Sequence, residues 1–400
     1  MTNGTAARGK PRQHAIVFSG NGYNAAYEVG VLKAILHGVS PSTRCEKIEP
    51  RIYTGTSVGA YNAAFMISRS EQSDIAAAEQ LEQSWTAGVG PRFRGNPFNY
   101  LDPRFYWPNP VAPFVDLAKD AACVSRDLAR RTGDFLARLD LTRPLAALQN
   151  QILDYEWDIL ADIAPMSNLI RGNISLENIR KADKELRITA ANWKKGNTTT
   201  FKNTEFTDDA GYQVITAAMA IPGAVPRQRV DLEEFVDGSM LMERPLQPAI
   251  EARGPESVDR LTLHVIYLDP EFEEGQGPLI DVRGSFSVVY RLFLLAFSRS
   301  VNADIERVER INRSLKFLQL LQAFDPAPEV MKLWKRLNKE TNDAVEVEVH
   351  RYRSAGHLAT LSDLFLQVSQ EKLKHLIESG YTDARLHNCK RAGCVLISEE

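Results

Sequence analysis

Ser57 stands in Gly55-Thr56-Ser57-Val58-Gly59, a G-x-S-x-G run in which the serine has the setting of an acyl-transfer nucleophile. A sharp turn between strand and helix lifts the hydroxyl clear of the sheet, and the flanking Gly55 and Gly59 let a crowded backbone pass. Arg51 to Thr54 before it reads as a strand and Ala60 to Ser68 after it as a small-residue helix, so the motif lies where it has mechanical meaning. A second loop, Gly20-Asn21-Gly22-Tyr23, follows the strand-like run His14 to Phe18 and opens a helical pattern from Ala25 to Leu36. Gly20, Gly22 and Ala25 satisfy G-x-G-x-x-A, but a dinucleotide site also wants an acidic residue ending the second strand. Here that strand runs into the serine turn instead. Backbone N–H groups at a helix N-terminus suit another task, holding the oxyanion of a tetrahedral intermediate beside the serine.

A strand, helix, strand order favours parallel neighbours, which places both loops at the carboxyl ends of adjacent strands, facing one another. An α/β-hydrolase would need several strands ahead of its nucleophile, and only His14 to Phe18 precedes Arg51 to Thr54. His264 and His357 lie downstream of Ser57, but His264 falls within a strand pattern and neither sits in a recognisable turn, so both read as packed or exposed rather than as a base.

Further strands are expected at Leu186 to Trp193, Thr198 to Phe201, Arg260 to Leu268 and Val345 to Tyr352. Helices are expected between Val115 and Ile179 and at Val214 to Ala220, Ser285 to Gln322, Pro328 to Thr341 and Gln370 to Ser379. Residues 1–13 read as a flexible tail, 14–270 as the core, and 271–400 as a mainly helical part packed on it. Within the core, 91–114 is an aromatic, proline-rich excursion that suits a surface-covering loop, a lid or an edge dipping into a bilayer.

Composition narrows the class. The chain has 400 residues, 44% hydrophobic and 25% charged, with a net charge of -3, so no global field gathers nucleic acid or an anionic bilayer. Leu292 to Phe297 is the longest apolar stretch, far short of the roughly 20 residues that cross a membrane. The polar N-terminus lacks the pattern of an export signal, and the expectation is a cytoplasmic protein. Cys45, Cys123, Cys389 and Cys394 read as reduced thiols, the last two lying close together without further ligands at local spacing. Neither metal nor cofactor is expected.

Four blocks in order, FSGNGYNAAYEVGVLKAI, YTGTSVGAYNAA, ITAAMAIPGAVP and FVDGSM, resemble the landmark blocks of patatin-like phospholipases. The resemblance implies a three-layer α/β/α fold with a mostly parallel central sheet. It also implies a lipid acyl hydrolase, of phospholipase A or esterase type, with a serine/aspartate dyad acting through an acyl-serine. Ser57 then corresponds to the nucleophile, Asp237 of the Asp237-Gly238 pair to the base, and Gly20, Asn21, Gly22 and Tyr23 to the oxyanion hole. Substrates would be phospholipids or other acyl-ester lipids, reached by peripheral membrane contact, with no nucleic acid partner. The family usually has Gly at the positions of Asn21 and Ala25 and often at Ser239, and a basic residue at Asn24. Asn tolerates a left-handed backbone, whereas the missing cation bears on rate and head-group preference. These departures motivate the alternative of a silent or effector-activated lipid-binding protein on the same fold.

Overall fold

A computed structural model describes residues 12–20, 22–88, 164–222, 225–253, 260–269, 285–324, 326–337, 344–354 and 370–397. Asn21, the excursion at 91–114, Cys123 and His357 lie outside them. The chain opens with β1 (Gln13–Phe18), a 3-10 turn (Gly22–Ala25) leading straight into α1 (Ala26–Leu36), β2 (Ile52–Gly55) and α2 (Gly59–Ile67). β1 and β2 pair in parallel, with Ala15 opposite Ile52 and Phe18 opposite Gly55, so the two loops leave the sheet side by side. Helices α3 (Asp74–Gln83), α4 (Ala164–Asn173) and α5 (Leu176–Lys181) follow, α3 and α5 begun by the side chains of Ser73 and Ser175, which accept backbone N–H groups of their first turns.

The sheet continues through the hairpin β3 (Glu185–Asn192) and β4 (Asn197–Lys202). After α6 (Asp208–Ala218) comes a second hairpin, β5 (Gln228–Val230) and β6 (Glu233–Asp237), then α7 (Gln247–Glu251) and β7 (Arg260–Leu268). α6 begins six residues earlier than its apolar pattern suggests, because Asp208 and Asp209 occupy a first turn where the helix dipole favours negative charge. Last come α8 (Ser285–Ala323), α9 (Pro328–Leu337), β8 (Glu346–Ser354), α10 (Gln370–Arg385) and the single turn α11 (Cys389–Ala392). The eight-stranded sheet carries four parallel pairings, β1 with β2 and β7, β2 with β3, and β7 with β8. The C-terminal third therefore gives the sheet a strand as well as helices.

Alternation along the strands divides the interior in two. Ile16, Phe18, Tyr53, Leu186 and Ile266 face one side and pack against α1 to α6 and α10. Ala15, Val17, Ile52, Leu263 and Val265 face the other, under Leu246 and Ala249 of the α7 region and Phe297, Val301 and Ile305 of α8. The result is the three-layer α/β/α arrangement. Among the described residues no helix is long and apolar enough to cross a membrane.

Behind the sheet, α1 and α10 approach more closely than side chains would permit. A Cβ on Gly30 would lie 1.9 Å from the Ile377 carbonyl oxygen, and one on Gly380 2.1 Å from that of Tyr27. The helix that follows the first glycine loop is thus fixed against the C-terminal helix, backbone to backbone.

Candidate active site

Ser57 occupies the tight turn between β2 and α2 with φ of 50°, a left-handed conformation that costs a non-glycine residue about 1 kcal/mol or more. The turn holds because the Thr56 N–H donates to the Phe18 carbonyl at 3.2 Å and its hydroxyl to the Thr189 carbonyl at 3.3 Å. Both glycines of the motif are demanded by crowding: a Cβ on Gly55 would lie 2.4 Å from the Gly59 oxygen, and one on Gly59 2.6 Å from the Phe18 oxygen. Ser57 itself is buried.

Strand registers bring Asp237 to it. β4 takes one edge of β3 from Arg187 to Asn192, so β2 and β6 must share the other. β2 pairs there with Glu185 to Ile188, and β6, running the opposite way, with Ala190 to Asn192. The two strands meet end to end across Thr189. Gly238 follows at once, and a Cβ there would stand 2.2 Å from the Thr189 oxygen and 2.8 Å from the Thr56 hydroxyl. The Asp237 N–H donates to the Ala220 carbonyl at 2.9 Å, which ties the ITAAMAIPGAVP block to the site.

Asp237 is fully buried, and one oxygen, Oδ1, accepts the Ser239 N–H at 3.0 Å together with the Ser239 hydroxyl. Oδ2 is buried without a well-formed hydrogen bond of its own. Burial raises the carboxyl pKa to about 6, against the restraining pull of the Ser239 and Ser57 hydroxyls and the Ser239 amide. The Ser57 hydroxyl is thus one of the groups that act on this buried carboxyl.

The first glycine loop presses on the same turn. Gly20 has φ of 79°, and a Cβ there would be 2.7 Å from both Ser57 Cβ and the Thr56 oxygen. Its N–H donates to Glu28 Oε1 at 2.7 Å. Gly22 and Tyr23 open the 3-10 turn ahead of α1, where first-turn N–H groups lack helical partners. Glu28 was not anticipated. Burial raises its pKa to about 8, while the amides of Gly20 and Asn62 and the Ser19 N–H pull it down. Asn62 donates to Oε2 at 2.8 Å and to the Ala25 carbonyl at 3.2 Å, and Trp85 donates to Asn62 Oδ1 at 2.9 Å. A charge inside the otherwise apolar run AYEVGVL was the only local signal for it.

A family model described as patatin-like phospholipase matches residues 16–250, more than half of the chain. The chain belongs to the patatin-like phospholipase family. Among curated protein sequences none matches it. Solved structures are similar at low level. VipD from Legionella pneumophila shares 14% identity at a TM-score of 0.37, over 95% of this chain and 68% of that one. The heterodimeric ExoU-SpcU complex from the type III secretion system of Pseudomonas aeruginosa gives 15% and 0.30, over 84% of this chain and 59% of that one.

In this patatin-like phospholipase the described histidine nearest to the sequence argument is engaged elsewhere. His264 is fully buried in β7, with Nε2 3.2 Å from His14 Nδ1 and Nδ1 3.3 Å from the Tyr352 hydroxyl. Burial, with neighbouring positive groups, holds its pKa well below the ordinary value, so it stays neutral. The void beside the serine turn, lined by Phe18, Thr56, Thr189 and Met242, measures about 10 Å³. A far larger groove of about 1260 Å³ lies between α8, β8 and the C-terminal segment.

Proposed function

We propose that this patatin-like phospholipase cleaves acyl esters of phospholipids or related lipids through an acyl-serine on Ser57, with Asp237 as the base. The observation that carries the reading is a fully buried Asp237 on whose carboxyl group the Ser57 hydroxyl acts, beside a left-handed serine turn. As Ser57 Oγ attacks the ester carbonyl carbon, its proton passes to Asp237 and the carbonyl oxygen becomes an oxyanion. Donors in the loop of Gly20, Asn21, Gly22 and Tyr23 stabilise that charge, Gly20 by anchoring the loop and the others by their N–H groups. Collapse of the tetrahedral species breaks the ester C–O bond and returns the proton from Asp237 to the departing alcohol. Water, deprotonated by Asp237, then releases the fatty acid and restores Ser57. No histidine takes part.

The reaction is tested on phosphatidylcholine vesicles, measuring released fatty acid for the native chain and for Ser57→Ala, with fluorophosphonate labelling followed by peptide mapping. Label on Ser57 and loss of both signals in the variant are expected. Fatty acid release that survives Ser57→Ala would end the proposal, and vesicle binding without turnover in the native chain would favour the silent lipid-binding alternative.

A further inference from the structure

We infer that His350, His387, Cys389 and Cys394 form a tetrahedral zinc site that staples the C-terminal segment to the edge of the sheet. One ligand atom from each of the four residues lies within 4.8 Å of every other. His387 Nε2 is 3.3 Å from Cys394 Sγ, and His350 Nδ1 is 3.5 Å from Cys389 Sγ. Metal–ligand lengths of about 2.3 Å to sulfur and about 2.0 Å to nitrogen place tetrahedral ligands roughly 3.3 to 3.8 Å apart, so these spacings suit zinc. Two thiolates and two imidazoles also match its preference for soft sulfur and nitrogen, and two thiolate charges balance the dication.

The surroundings support ligation. The Arg351 N–H points at Cys394 Sγ at 3.3 Å, an amide donor to a sulfur that zinc would keep as thiolate. His350 is buried, and the carboxylate of Glu348 stands 3.5 Å from its other nitrogen, Nε2, on the side away from the sulfurs. The backbone is shaped for the two sulfurs as well. Asn388 caps α11, Gly393 ends it at φ of 68°, and the Cys394 N–H returns to the Cys389 carbonyl at 2.9 Å. Both cysteines are free thiols. Binding would form four bonds to zinc and release two thiol protons to solvent.

The site spans two parts of the chain. His350 lies in β8, the outermost strand beside β7, while the other three ligands follow α10. Just beyond them Val395 pairs with Val349 through two hydrogen bonds of 2.9 Å, covering the open edge of β8. A lone antiparallel bridge is a weak clasp, and a metal joining its two sides would hold it shut. His387, Cys389 and Cys394 lie within eight residues, so His387 is a ligand at local spacing that the reading of the cysteine pair passed over, and only His350, 39 residues from Cys389, is hidden from the sequence.

The test is metal content and metal uptake of the full chain. Protein purified without chelator is expected to carry about one zinc per chain by elemental analysis, and Cys389→Ser/Cys394→Ser far less. Because that variant can fail to fold, the native chain is also stripped and titrated with cobalt chloride. An intense tetrahedral cobalt–thiolate spectrum saturating at one equivalent, displaced by zinc chloride, and a melting temperature raised by zinc are expected. A native chain that holds no zinc and takes up neither metal overturns the inference, as does a Cys389–Cys394 disulfide found by intact mass in freshly isolated, metal-free protein.

Discussion

Gly20 donates its backbone N–H to the side-chain oxygen Oε1 of Glu28 at 2.7 Å, in a site closed to solvent. Glu28 takes the Asn62 amide on its other oxygen, so both oxygens act as acceptors. Glu28→Gln puts an N–H₂ group against one of those donors and leaves it unsatisfied, at a cost of about 1–3 kcal/mol. Because Gly20 packs on Ser57, the disturbance should reach the oxyanion loop. We expect kcat to fall by roughly 10- to 100-fold with KM little changed, and fluorophosphonate labelling of Ser57 to slow in parallel. Full kcat in a properly folded Glu28→Gln protein would show that the contact is structural only.

On the proposed mechanism Asp237, as the base, sets the acid limb of activity. A general base must be deprotonated, so kcat/KM should decline tenfold per pH unit below the Asp237 pKa of about 6 and level off above it. A midpoint near the ordinary carboxylate value would contradict the desolvated environment.

Stability should run against activity at this residue. The folded-state pKa of Asp237 is raised from 3.8 to about 6, so between those values the native state binds a proton that the unfolded chain has released. Stability is therefore lost as pH rises through this window, by about 3 kcal/mol once Asp237 is fully ionised. Asp237→Asn should raise the melting temperature at pH 8 while leaving it nearly unchanged at pH 3.5. Thermal unfolding of the two proteins at both pH values measures the difference, and a variant less stable at pH 8 would refute it.

Removing the proposed base and removing a buried histidine should separate cleanly. Asp237→Asn is expected to lower kcat by roughly 10³-fold or more, as when a member of a catalytic triad is removed. His264→Gln should leave kcat of the folded protein nearly unchanged and lower its melting temperature, since its partners are His14 and Tyr352. The reverse pattern would identify a histidine-dependent hydrolase.

Gly238→Ala tests the meeting of β2 and β6. The new methyl would stand 2.2 Å from the Thr189 oxygen, closer than any contact can be, and β6 has to move. A loss of about 2 kcal/mol or more in stability is expected in urea titration, together with loss of Ser57 labelling. A variant with native stability and labelling would show that the strand junction is looser than its geometry indicates.

Sequence alone determined the two glycine loops, the strand-turn-helix setting of Ser57 and the order of the four blocks, because each is a local pattern in which turn residues and apolar periodicity report directly on backbone shape. It also determined the core strands, whose apolar runs admit few alternatives. What brought Asp237 to Ser57 was not local: β2 and β6 converge only because β4 fills the opposite edge of β3, a matter of strand register that no spacing across 180 residues encodes. Glu28 was hidden for a similar reason, since a charge in an apolar helix acquires its partners, Gly20 and Asn62, only when the loop folds back over the helix. His350 reaches Cys389 by the same route, through the placement of an edge strand against the chain's last turn. Local sequence fixes backbone conformation through short-range sterics, while the pairing of distant side chains follows from how the sheet and its layers pack.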